Sequence, residues 1–210
     1  MRRNPQEKLA LIRDTMEHRT IRSIMDTIDQ NFGLDFTVEQ GHVTGLQLAA
    51  AGLVVIPRQI KGLSFLRRLE VPANKIRRIT NLESCEALEV INLADNELTT
   101  EGLRSLNHCK TVTELNLSMN RIDSMEPLSG LMRLKRLDLS QNALTHIAAL
   151  ELPVLEHLNL WQNPIEKLEN LHRYPNLKEV KLAGKTLPPE EQALLEGQAM
   201  NEIIDYCRNE

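Results

Sequence analysis

The residue types in this chain best suited to chemistry are its six histidines and three cysteines. Their spacing points away from catalysis. None of His18, His42, His108, His146, His157 and His172 stands at metal-ligand spacing from another. Cys85, Cys109 and Cys207 form no CxxC pair, and an odd count without a secretion signal suits a reducing, cytoplasmic interior. There is no GxxxxGK[ST] phosphate loop, no GxSxG elbow and no HExxH pair. A catalytic site needs a nucleophile with its base, paired carboxylates or converging ligands. The chain therefore reads as a non-enzyme with no metal and no cofactor. The residue that stands out is Trp161, the one tryptophan among 210 residues of which 3% are aromatic, within LNLWQNPIEKL.

The elements that must position Trp161 come from an internal repeat. VTGLQLAAAGL from 43, LRRLEVPANKI from 66, LEVINLADNEL from 88 and VTELNLSMNRI from 112 share one pattern. LKRLDLSQNAL from 134, LEHLNLWQNPI from 155 and LKEVKLAGKTL from 177 continue it. The starts lie 23, 22, 24, 22, 21 and 22 residues apart. Alternating leucines in LxLxx read as a short strand with one face in the core. A single copy cannot bury its apolar side, so neighbours stack into one continuous core.

This LxxLxLxxNxL pattern resembles the leucine-rich repeat over about residues 43 to 187. The spacing is similar to the class found in a regulatory subunit of protein phosphatase 1, an axonemal dynein light chain and a spliceosomal subunit. The resemblance implies an α/β solenoid with a curved, parallel, concave sheet of about seven copies, and a binding architecture without a reaction. The asparagines Asn74, Asn96, Asn120, Asn142 and Asn163 are expected to turn inward onto backbone groups that the strand leaves unpaired. Ala51 and Lys185 replace asparagine in the two end copies, as capped ends allow. Cys85, Cys109 and Tyr174 fall at equivalent places in the outer half of their coils and read as core residues.

Residues 1–42 read as an N-terminal helical cap and hairpin, and 188–210 as a C-terminal capping helix. Asn4-Pro5-Gln6-Glu7 has the form of a helix start. Leu9, Ile12, Met16, Ile21, Ile24, Met25 and Ile28 give an apolar stripe, with a break expected near His18 to Thr20. Gly33 is expected to stop this helix, and Gln40-Gly41 to turn a hairpin. At the other end Pro189, Glu190 and Glu191 open a helix whose Leu194, Leu195, Met200, Ile203, Ile204 and Cys207 would cover the last coil.

Counting the first residue of each copy as one, positions 3, 5, 7 and 8 are expected on the concave face. Asn or Asp at position 5 and Ser at position 7 are common in leucine-rich repeats, so exceptions inform more. Trp161, Met119 and Val90 are apolar where small or polar residues are usual. Tryptophan and arginine are enriched in interface hot spots. The predicted partner site therefore centres on the fourth to sixth copies: Trp161, His157, Asn159, Arg136, Asp138, Met119, Glu114 and Asn116. Arg68 beside Glu70, Arg136 beside Asp138, and Glu179 beside Lys181 would supply mixed charge.

A net charge of −4, with no run of Lys or Arg longer than two, makes nucleic acid an unlikely partner. No apolar run approaches a membrane span of about 20 residues. The expected function is protein or peptide binding on the concave face by a chain that is monomeric alone. The alternatives are a regulatory subunit of a phosphatase or motor ATPase, and an RNA-associated adaptor.

Overall fold

The computed structural model describes residues 4–28, 33–182, 186–195 and 200–209. Lys185, the end of the predicted first helix at 29–32, and residues 196–199 lie outside them.

Every coil contributes one strand to a single sheet. β1 (Gly33–Glu39) and β2 (His42–Ala49) form the hairpin, and both turn residues, Gln40 and Gly41, are left-handed at φ 54° and 92°. Two positive φ values in a two-residue loop match the twist of the flanking strands. Then follow β3 (Arg68–Glu70), β4 (Val90–Asn92), β5 (Glu114–Asn116), β6 (Arg136–Asp138), β7 (His157–Asn159) and β8 (Glu179–Lys181). The eight strands pair in chain order. β1 is antiparallel to β2, and every later pairing is parallel with position 3 on position 3 and position 5 on position 5.

The leucines of each copy build the core. At position 4, Leu69, Ile91, Leu115, Leu137 and Leu158 are all buried, as are Val71, Leu93, Leu117, Leu139 and Leu160 at position 6. Each contributes about 1.5–3 kcal/mol on leaving water. Short 3₁₀ turns close the outer half of several coils, the longest at Thr100–His108 in the longest copy. Cys85, Cys109 and Tyr174 are buried in that half. All three cysteines are free. Burial pushes the Cys85 thiol up to about 11 and the Cys109 thiol up to about 12.

The strands are shorter than the repeat alone suggests. Position 8 lies beyond them, in a left-handed turn: Ala50, Ala73, Asp95, Met119, Gln141 and Gln162 have φ between 51° and 56°. Non-glycine residues rarely take this conformation unless the surroundings impose it. The asparagine ladder does so. Asn96 accepts from Ile76 N–H at 3.0 Å and donates to the carbonyls of Val71 (3.0 Å) and Leu93 (3.1 Å). Asn74, Asn120, Asn142 and Asn163 repeat the arrangement.

The caps differ from expectation in three ways. The N-terminal helix is broken earlier, into α1 (Pro5–Leu9) and α2 (Thr15–Thr27), because Asp14 caps a new helix and Arg13 N–H bonds to Gly41 carbonyl at 2.8 Å. His18 to Thr20 continue α2 without interruption. Gly33 does not stop the helix: α2 ends at Thr27 and Gly33 is the first residue of β1. The C-terminal segment forms two helices, α3 (Pro189–Leu195) and α4 (Met200–Asn209), with Ile203 and Cys207 of α4 buried.

Candidate docking groove

Positions 3 and 5 of the parallel strands align as two columns on the concave face. One runs Arg68, Val90, Glu114, Arg136, His157, Glu179; the other runs Glu70, Asn92, Asn116, Asp138, Asn159, Lys181. They line a shallow groove of about 350 Å³. Of the predicted site residues, His157, Asn159, Arg136, Asp138, Glu114 and Asn116 come together there. Trp161 and Met119 do not join these columns, since both follow the strand ends.

The polar columns are locally organised. Asn92, Asn116, Asp138 and Asn159 each accept from the backbone N–H two residues on, at 3.0, 2.9, 2.9 and 3.1 Å. This pattern ties down the turn after the strand, so one side-chain oxygen of each is committed to structure. Asp138 also accepts from Asn159 Nδ2 at 3.0 Å. The Nδ2 groups of Asn92 and Asn116 have no such acceptor among the described residues and remain donors toward the groove.

Charges pair across the coils. Arg136 meets Glu114 at 3.2 Å, and not Asp138, which is engaged by Ser140 and Asn159. His157 Nδ1 lies 3.1 Å from Glu179, and Lys181 lies 3.4 Å from the same carboxylate. The His157 hydrogen bond and the Lys181 charge hold the Glu179 carboxyl below its ordinary range. Arg68 pairs with Glu70 at 3.2 Å, as its spacing implied. Val90 is the apolar member between these pairs.

Position 7 explains the setting of Trp161. Its counterparts Ser118 and Ser140 are buried, and each hydroxyl bonds to the position 5 side chain of its own coil. An indole cannot fit such a place, so Trp161 turns outward and is 46% exposed. Met119 is 46% exposed on the same rim. Among the described residues no ring or cation stacks on the indole.

Of two residues with clear roles, Glu17 was not singled out in the sequence and Glu191 was read only as an acid that opens a helix. Glu17 of α2 is buried and accepts from Val43 N–H at 3.0 Å; His42 Nδ1 lies 3.4 Å away. Glu191 of α3 is buried and accepts from Leu168 N–H at 2.7 Å and from Tyr206 hydroxyl at 3.2 Å. Near each end a helix carboxylate thus grips a backbone N–H of the solenoid, Val43 in the first copy and Leu168 in the sixth. The signal was available: Glu17, Ile21, Ile24 and Ile28 share one helical stripe, and it is Met16 that is exposed at 63%. Among the described residues no group of three or more His, Cys, Asp and Glu could hold a metal ion. No helix among them is long and apolar enough to cross a membrane.

Comparison with known proteins agrees with this geometry. Residues 84–106 and 110–165 match two family profiles, each described as leucine rich repeat. The chain is 34% identical over 126 residues to human leucine-rich repeats and immunoglobulin-like domains protein 1, covering 57% of this chain and 12% of that one. It is 33% identical over 120 residues to the 187-kDa microtubule-associated protein AIR9 of Arabidopsis thaliana, covering 55% and 7%. This chain thus spans only a small part of either relative. Among solved structures, pollen receptor kinase 3 superposes with a TM-score of 0.58 at 22% identity, over 73% of this chain and 79% of that one. An internalin from Listeria monocytogenes gives 0.55 at 18% identity, over 85% and 58%. Profile matches, relatives and coil geometry agree on one architecture, and the chain is a leucine-rich repeat protein.

Proposed function

We propose that this chain is a non-catalytic interaction module that docks a segment of another protein in its concave groove. Leucine-rich repeat domains generally mediate protein–protein interaction, and solenoids use their concave surfaces for it. The observation that carries the reading is the division of labour within each strand. Positions 4 and 6 supply the core, while positions 3 and 5 line a groove that the core does not need. Near its middle, Val90 and the free donors of Asn92 and Asn116 suit an extended segment offering carbonyl or carboxylate acceptors. Trp161 and Met119 on the rim add apolar anchors where a partner would leave the groove.

The site of action is proposed to be intracellular, because Cys85, Cys109 and Cys207 are free and buried, as suits a reducing compartment. The test compares proteins retained from source-cell lysate by wild type, Asn116→Ala, Trp161→Ala and a control, Glu86→Ala, after circular dichroism shows all four folded. A protein held by wild type and the control, and lost by both the groove variant and the rim variant, supports the proposal. Equal retention by all four contradicts it.

A further inference from the structure

We propose that β8 is a self-association edge, at which two copies of this chain pair antiparallel about a two-fold axis through Val180. This inference rests on the strand edge and not on the groove reading, although Glu179 and Lys181 also line the end of the groove.

β1 and β8 are the two edges of the sheet: α1 packs against β1, whereas β8 has β7 as its sole strand neighbour among the described residues. Glu179 N–H reaches Glu156 carbonyl at 3.1 Å, and Lys181 carbonyl takes Leu160 N–H at 2.7 Å, so both residues spend their backbone groups on the β7 side. Successive residues of a strand alternate in direction, and the N–H and C=O of Val180 therefore face the open side. Among the described residues nothing bonds to them there. An open edge of this kind is a template for another strand.

The core tells the same story. Val180 and Leu182 are only partly buried. Their counterparts one coil earlier, Leu158 and Leu160, are 1% and 0% exposed. Among the described residues no strand covers the outer side of the last coil, while α4 packs against the 3₁₀ turn Leu171–Arg173 of the sixth.

Charge complementarity selects the occupant. With Val180 opposite Val180 of a second copy, the two outward peptide groups exchange a pair of hydrogen bonds. In that register Glu179 lies opposite Lys181 of the second copy, and Lys181 opposite its Glu179. The sequence Glu-Val-Lys is self-complementary when reversed, and a two-fold axis satisfies both pairs at once. A slip of one residue would turn the charges toward the core, so the register is fixed. Three residues make a small contact, and the expected dimer is weak. The chain behaves as a monomer when dilute, as its sequence suggested, and pairs when concentrated.

Sedimentation velocity tests this between about 1 μM and about 1 mM, the range of weak association. Wild type should shift from monomer to dimer across it. Glu179→Lys and Lys181→Glu each turn two attractive pairs into like-charge pairs and should weaken the dimer on the order of tenfold or more. The double variant E179K/K181E should dimerise like wild type, and an equimolar mixture of the two single variants should form heterodimers. Monomer at every concentration would overturn the proposal. So would a dimer indifferent to the single swaps, or a folded double variant that fails to recover pairing.

Discussion

Replacing Asn96 with alanine should destabilise the protein by about 2.5–4.5 kcal/mol, and the ladder geometry explains why the cost is not larger. Asn96 Oδ1 is the acceptor for the buried N–H of Ile76, which becomes an orphan. An unsatisfied buried group costs about 1–3 kcal/mol. The three carbonyls that Asn96 serves are protected, because each keeps another donor; for Ala94 carbonyl it is Ala73 N–H at 3.0 Å. Val71 carbonyl keeps Asn74 Nδ2 at 3.0 Å, and Leu93 carbonyl keeps Asn120 Nδ2 at 3.0 Å. Each falls from two donors to one, adding about 0.5 kcal/mol apiece. The double variant N96A/N120A strips Leu93 carbonyl of both, so its loss should exceed the sum of the singles by about 1 kcal/mol or more. Asn74→Ala and Asn142→Ala share no carbonyl and should add simply. Urea denaturation followed by circular dichroism reads all of these as midpoint shifts. An N96A cost below about 0.5 kcal/mol, or strict additivity of N96A with N120A, would refute the shared-carbonyl account.

Trp161→Ala should change stability by no more than about 0.5 kcal/mol, since an exposed side chain outside the core is removed; thermal unfolding checks this. Glu191→Ala should cost about 1–3 kcal/mol by leaving Leu168 N–H without an acceptor, measured by the same urea titration. Folded Cys85 and Cys109 hold their protons above the ordinary thiol value of 9.0, to about 11 and about 12. The unfolded chain releases those protons first, so stability is full below pH 9 and falls as pH rises toward 11. Replacing both with alanine should flatten the alkaline slope by about 1 kcal/mol per thiol at pH 10. Both thiols should also resist a disulfide reagent until denaturant is added.

Much of this fold was legible because one constraint recurs in every coil. Leucine spacing placed the strands, and the asparagine column named the ladder before any hydrogen bond was seen. The break between α1 and α2 was expected too late along the chain, because the bond from Arg13 N–H to Gly41 carbonyl is tertiary and has no local signature. Gly33 misled for the same reason: a glycine after a helical stripe serves a strand start equally well. In the groove, strand spacing assigned positions 3 and 5 correctly. Position 8 was misassigned because period two was carried past a three-residue strand into a left-handed turn. The Arg136 pairing was misjudged because neighbours along one strand were weighed over neighbours across coils, where Glu114 stands.

The central claim is that a protein docks in the concave groove, and site-specific photo-crosslinking tests it most directly. A benzophenone amino acid at Val90, inside the groove, should capture a protein from source-cell lysate. The same group at the exposed Glu86, outside the groove, should not. Capture from Glu86 with none from Val90 would contradict the account and move the docking surface off the concave face.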